Sequence, residues 1–109
     1  MDTQLKKGLL DSCVLSVISN ERSYGYKIVQ DMAECVKISE STLYPILRRL
    51  EAAGCLKTDT AEHNGRLRKY YEITSQGRGR IEDFLGEFDE ILSIYSFINE
   101  NASKGRGCV

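Results

Sequence analysis

The chain has 109 residues, 41% of them hydrophobic and 28% charged, with a formal net charge of −1 and a pI near 5.8. This suits one compact domain with an appendage and excludes two full domains. With no apolar run near the ~20 residues of a membrane span, and no net positive charge, neither a membrane helix nor an indiscriminate polyanion binder is expected.

The four cysteines, Cys13, Cys35, Cys55 and Cys108, form no C-x-x-C and have no His pair beside them. No metal and no cofactor are therefore expected. Cys13 and Cys55 lie among apolar residues and read as small core side chains. The first residues carry no secretory signal pattern, so a reduced, cytoplasmic protein is expected.

Residues 1–7 are polar, either loose or a first helical turn. Residues 8–20 place Leu10, Cys13, Val14, Val17 and Ile18 at helical spacing, with Asn20 as a polar stop. A turn follows, and Ser23 is a candidate cap for a second helix over about 24–35, with Ile28, Met32 and Cys35 as its stripe. Gly25 permits close backbone approach. Of the residues opening this helix, Tyr26 is expected in the core and Lys27 against a phosphate.

The third helix, bounded by Ser39 and Gly54, organises the rest. Ser39 or Ser41 can cap its start, and Gly54 suits a left-handed stop. Pro45 requires that the start be nearby. Leu43, Leu47 and Leu50, with Ile46 and Ala53, form one apolar face. The other face carries Glu40, Ser41, Tyr44, Arg48 and Arg49. A rigid rod with such groups fits the major groove of B-DNA. Two helices joined by a short turn in this way form a helix-turn-helix.

After Gly54 the period changes. Residues 55–60 read as a strand, 61–65 as a turn containing Asn64-Gly65, and 66–74 as a returning strand with Leu67, Tyr71 and Ile73 inward. Arg66, Arg68 and Lys69 make that strand basic. Thr74 or Ser75 then caps a last helix over 75–99. Its Ile81, Leu85, Phe88, Leu92 and Tyr95 recur at heptad spacing, with acids on the flanks. So wide an apolar face predicts pairing with another chain. The fold class is thus mainly α with a small β-hairpin: a winged helix-turn-helix over 1–74, a dimerisation helix over 75–99 and a disordered tail over 100–109.

Three segments come in the order and spacing of one family. They are Ser23-Tyr24-Gly25-Tyr26-Lys27-Ile28, the run from Ser41 to Gly54, and the run from Gly65 to Gly77. The chain resembles the PadR family of bacterial transcriptional regulators, in its short form with one C-terminal helix, over about residues 5–98. The resemblance implies a homodimeric repressor on a pseudopalindromic double-stranded DNA operator. The third helix would enter the major groove, and the wing would touch the adjacent minor groove or backbone. It also implies a small hydrophobic or phenolic effector. The family's frequent small or Gly residue before Thr-Leu-Tyr is Ser41 here. The absence of Trp removes one known mode of drug binding.

The expected DNA-contacting residues are Lys27, Ser41, Thr42, Tyr44, Arg48, Asn64, Arg66, Arg68 and Lys69. Ser39 is left to capping; Arg48, four residues after Tyr44, lies on the groove side, and Arg49 is left unassigned. Phe84, Phe88 and Tyr95, with apolar residues of the first helix, are candidates to line an effector site. No nucleophile–base pair or buried carboxylate pair is apparent, and His63 has no assigned role, so enzymatic activity is not expected. The acidic pI motivates an alternative, a winged-helix protein-interaction module that no longer reads DNA.

Overall fold

The computed structural model describes residues 3–107. Helix α1 (Thr3–Val17) takes in the polar opening as its first turns and buries Val14 and Leu15. It stops short of Asn20 in a turn closed by Ser19 N–H donating to the Ser16 carbonyl. Helix α2 (Gly25–Met32) is shorter than its apolar stripe suggests. Past Met32 the amides of Cys35 and Val36 both turn back onto the Met32 carbonyl, leaving Cys35 exposed.

Ser23 does not cap α2. The capping position is Tyr24, extended and without a side-chain cap. Ser23 instead exchanges two backbone hydrogen bonds with Tyr71, at 3.0 and 2.7 Å.

Helix α3 (Glu40–Ala52) follows its sequence signals closely. Ser39 Oγ accepts from Thr42 N–H, which settles the cap between Ser39 and Ser41. Pro45 stands in the second turn, where it withholds a donor from the Ser41 carbonyl. The helix ends in a Schellman motif. Cys55 N–H reaches the Leu50 carbonyl, Gly54 N–H reaches Glu51, and Gly54 takes φ +78°.

Strands β1 (Leu56–His63) and β2 (Arg66–Ile73) pair antiparallel from Leu56↔Ile73 to His63↔Arg66. The turn needs only Asn64 and Gly65, at φ +52° and +78°, the signs a type I′ turn demands. Residues 61–63, expected in the turn, therefore belong to β1. Leu56, Tyr71 and Ile73 are buried, but Leu67 is 79% exposed, contrary to expectation. It lies on the same face as Tyr71, near the hairpin tip.

Helix α4 (Ser75–Gly107) starts from Thr74, whose Oγ1 accepts from Gly77 N–H and donates to the Gly54 carbonyl at 2.6 Å. It runs past the expected end at 99, so the disordered tail is corrected over 100–107; Cys108 and Val109 lie outside the described residues. Once a helix is nucleated, each added residue gains a hydrogen bond at little cost. Asn101 Nδ2 donates to the Phe97 carbonyl, and Lys104 pairs with Glu100 at 3.9 Å. The start of α4 lies on α1, with Ile81 against the core; beyond it Leu85, Leu92 and Tyr95 are more than half exposed. Among the described residues no helix is long and apolar enough to cross a membrane.

The core joins Val14, Leu15 and Ile18 of the first helical segment, Ile28 and Met32 of α2, the leucine face of α3, and Leu56, Tyr71 and Ile73 of the hairpin. Gly77 is the seam where α4 meets it. A Cβ there would run into the Cys55 carbonyl and stand 2.7 Å from Ile73 Cγ1. Gly77→Ala should cost about 1–3 kcal/mol as overpacking against rigid backbone. A urea midpoint equal to wild type would refute that contact.

Candidate nucleic-acid interface

Burying Leu43, Ile46, Leu47 and Leu50 leaves the opposite face of α3 in solvent. Its first two turns present Ser41 and Thr42, both exposed. Their hydroxyls lie 2.8 and 3.1 Å from Ser39 Oγ, so one serine gathers them at the helix start. Arg48 is exposed one turn further on and makes no ion pair among the described residues. Arg49 turns the other way and pairs with the buried Asp11, tying α3 to α1. It is thus unavailable to a groove.

Tyr44 has a divided role. Its ring lies over Gly25 at the start of α2, and its hydroxyl is 3.4 Å from Glu40 Oε2. Partial burial, then the Glu40 charge and hydrogen bond, raise its pKa above the ordinary tyrosine value. Tyr71 is shifted upward as well, by burial first and then by Tyr44 and Glu51. Lys27 donates to Asp31 at 3.0 Å, which raises its pKa through that hydrogen bond and then the Asp31 charge. A surface pair of this kind is worth little, so a stronger anion can draw the ammonium away.

The structure reverses the two tyrosines of α2. Tyr26, expected in the core, is 58% exposed, and Tyr24 is the half-buried one. The buried stripe of α2 is Gly25, Ile28 and Met32, and Tyr26 falls off it. On the hairpin, Asn64 and Arg66 are exposed at the tip. Arg68 lays its guanidinium 3.8 Å from the centre of the Tyr24 ring, and Lys69 Nζ stands 5.7 Å from the Tyr71 ring.

These elements meet around one open cleft of about 610 Å³. Tyr24, Gly25 and Tyr26 form its α2 wall, Glu40 and Tyr44 its α3 wall, and Arg68 and Lys69 its hairpin wall. The α2 wall includes a helix N-terminus whose first amides have no side-chain cap. Of the nine predicted contact residues, Tyr44, Arg68 and Lys69 line the cleft; Lys27, Ser41, Thr42 and Arg48 stand on α2 and α3 outside its lining, and Asn64 and Arg66 lie further along the hairpin. Arg22 was not anticipated. It stacks 4.3 Å from the Tyr70 ring and pairs with Asp59 at 3.8 Å. Nothing in the sequence pattern marks it before the Ser23–Tyr71 pairing is known.

A second cavity of about 580 Å³, mostly apolar, opens between α1, the α2–α3 connection and the start of α4. Leu9, Cys13, Val36, Ile81 and Phe84 are among its walls. Of the three candidate effector residues only Phe84 lines it. Phe88 packs on Phe84, ring centres 4.7 Å apart, and Tyr95 lies about two turns further along α4, 61% exposed.

Residues 14–83 match the sequence pattern of the transcriptional regulator PadR-like family. The chain belongs to this family. Among solved relatives, a Streptococcus mutans UA159 protein is 40% identical, covering 86% of this chain and 89% of that one, with a TM-score of 0.76. A transcriptional regulator of Mycobacterium tuberculosis is 29% identical over 72% of this chain and 74% of its own length. A Bacillus subtilis PadR, solved in complex with operator DNA, shares the fold at 22% identity and a TM-score of 0.66, over 71% of this chain and 46% of that one. The PadR assignment and the winged-helix fold expected from sequence are both borne out.

Within this PadR-family interface, Gly25 sets how closely α2 and α3 approach. A Cβ there would meet Tyr44 Oη at 2.6 Å and Cζ at 3.1 Å. Gly25→Ala should cost about 1–3 kcal/mol in urea unfolding. Adding Tyr44→Phe, which deletes the nearest atom, should recover part of that loss; strictly additive costs would contradict the contact.

Proposed function

We propose that this PadR-family chain is a dimeric, ligand-responsive transcriptional repressor that binds a pseudopalindromic operator. The observation that carries the DNA reading is the convergence at the cleft. Glu40 and Tyr44 of α3, the uncapped start of α2 and the Arg68 and Lys69 cations of the hairpin line one open cleft, with Ser41 and Thr42 exposed next to Glu40 on α3. Ser41, Thr42 and Arg48 are suited to base edges or phosphates in the major groove, with Tyr44 at its border. Asn64, Arg66, Arg68 and Lys69 are suited to the adjacent backbone or minor groove, and Lys27 to a phosphate at the start of α2. The operator complex of the Bacillus subtilis PadR lends this reading support by fold.

The overall charge of −1 does not oppose it. Glu82, Asp83, Glu87, Asp89 and Glu90 ride on α4, and on the hairpin the cations Lys57, Arg66, Arg68 and Lys69 outnumber Asp59, Glu62 and Glu72, so its returning strand keeps a local positive bias. That weakens the motive for a protein-interaction module that no longer reads DNA. Replacing Arg66 and Arg68 by Ala should lower the salt slope of duplex binding by about 2, roughly 1 per phosphate contact. An unchanged slope would remove the hairpin from the interface.

The reading of a dimer rests on α4. Leu85, Leu92 and Tyr95 of the heptad seam, together with Ile91, Ile94, Phe97 and Ile98, are between 49% and 68% exposed in the single chain. So much apolar surface on one rod calls for a partner, and a second copy supplies the same seam. Two copies would set two α3 helices about one turn of DNA apart, ~34 Å. Ile81 and Phe88 sit where the seam leaves the core, and the apolar cavity of about 580 Å³ beside Phe84 has a size and lining that suit a small hydrophobic or phenolic effector. Leu85→Asp with Leu92→Asp should give a folded monomer in sedimentation equilibrium; a dimer that survives both changes would place the interface elsewhere.

A further inference from the structure

We infer that Tyr24 is a positioning residue, which holds the Arg68 guanidinium flat so that its donor edges face the cleft, ready for a phosphate oxygen. The inference deepens the DNA reading and rests on it.

The geometry is a ladder of four side chains. The Ser23–Tyr71 pairing lays residues 22–24 along the free edge of β2. It brings Tyr24 against Tyr70, edge to face, with ring centres 5.9 Å apart and planes at 85°. Arg68 then covers the Tyr24 ring at 3.8 Å, and Arg22 covers the Tyr70 ring at 4.3 Å. Asp59 holds Arg22 from the next strand at 3.8 Å. Arginine on an aromatic face uses its π surface for the stack and keeps its in-plane N–H groups for hydrogen bonds. A lysine has no such plane.

An arginine in an exposed hairpin usually has to lose rotamer freedom when it meets an anion. Arg68 is already ordered, half-buried and on the wall of the cleft beside Lys69 and the start of α2. Tyr24 serves this role better than a small capping residue would. The preferred N-cap residues satisfy the helix amides themselves, whereas Tyr24 leaves them uncapped beside the arginine. Both groups lie on the wall of the same cleft.

The test uses the full chain and a labelled mixed-sequence duplex of about 30 base pairs, because phosphate contacts are independent of sequence. Binding is titrated across salt for Tyr24→Leu, Tyr24→Phe, Arg68→Ala, Arg68→Lys and the Tyr24→Leu/Arg68→Ala pair. Arg68→Ala should weaken binding about tenfold and lower the salt slope by about 1. Tyr24→Leu should do the same, and the pair should be no weaker than Arg68→Ala alone. Tyr24→Phe, which keeps the ring, should match wild type. Arg68→Lys should lose severalfold in affinity although the charge stays. If Tyr24→Leu binds as wild type while Arg68→Ala does not, or if the two losses multiply in the pair, the positioning role is refuted. If Arg68→Ala changes nothing, the hairpin reading fails and the inference falls with it. If Tyr24→Leu unfolds the protein, Arg68→Lys decides: wild-type binding by that variant refutes the role.

Discussion

One constraint governs the molecule: α3 must bury its leucine face. Leu43, Leu47 and Leu50 are at most 1% exposed, and α1, α2 and the hairpin all close on them. Truncating any one of the three would cost on the order of 2–5 kcal/mol, a large part of a small domain's stability. Turning α3 about its axis would expose that face. The polar face therefore has no choice of direction. The Asp11–Arg49 pair adds a directional restraint. A half-buried pair of this kind contributes little net stability, because desolvation of Asp11 offsets its attraction, but it penalises every rotation that separates the partners.

The hairpin needs a different explanation. Two strands alone are marginal in water. Here the base is anchored by Leu56, Tyr71 and Ile73 in the core and by Ser23 along the free edge of β2. The outer half has no helical layer beneath it, which is why Leu67 is bare while Tyr71, on the same face, is covered. Charge is divided in the same economical way. Arg66, Arg68 and Lys69 cluster on the returning strand and five acids cluster between 82 and 90 of α4, so the charge of an acidic chain is unevenly spread.

Features written in local chemistry were legible before the fold was known. The Ser39 cap, the leucine stripe, the Gly54 stop and the Asn64-Gly65 turn each depend on a few neighbouring residues, and each stands where its chemistry requires. What could not be read was set by distant partners. Ser23 looks like a cap until Tyr71 claims its backbone. Tyr24 and Tyr26 are interchangeable in pattern until the short α2 fixes which lies on the buried stripe. Arg48 and Arg49 are neighbours in sequence, and only Asp11, far away on α1, separates their roles. The continuation of α4 beyond 99 was hidden for another reason: polar, glycine-bearing sequence reads as loose, yet an established helix carries it.

Thr74 joins the end of α3 to the beginning of α4. Its hydroxyl hydrogen goes to Gly54 and its oxygen takes Gly77, while the Gly77 backbone lies against Cys55. Two helices that share one side chain at their junction have little freedom to swivel separately. The second has 33 residues, about 50 Å of rod at ~1.5 Å per residue. Leverage follows from that length. A tilt of about 5° at the Thr74 pivot sweeps the far end of such a rod through roughly 4 Å. Conversely, a displacement of that size at the tip returns to α3 as a rotation of only a few degrees. The joined helices form a rigid lever, in which one angle is a small shift at α3 and a large one at the far end of α4.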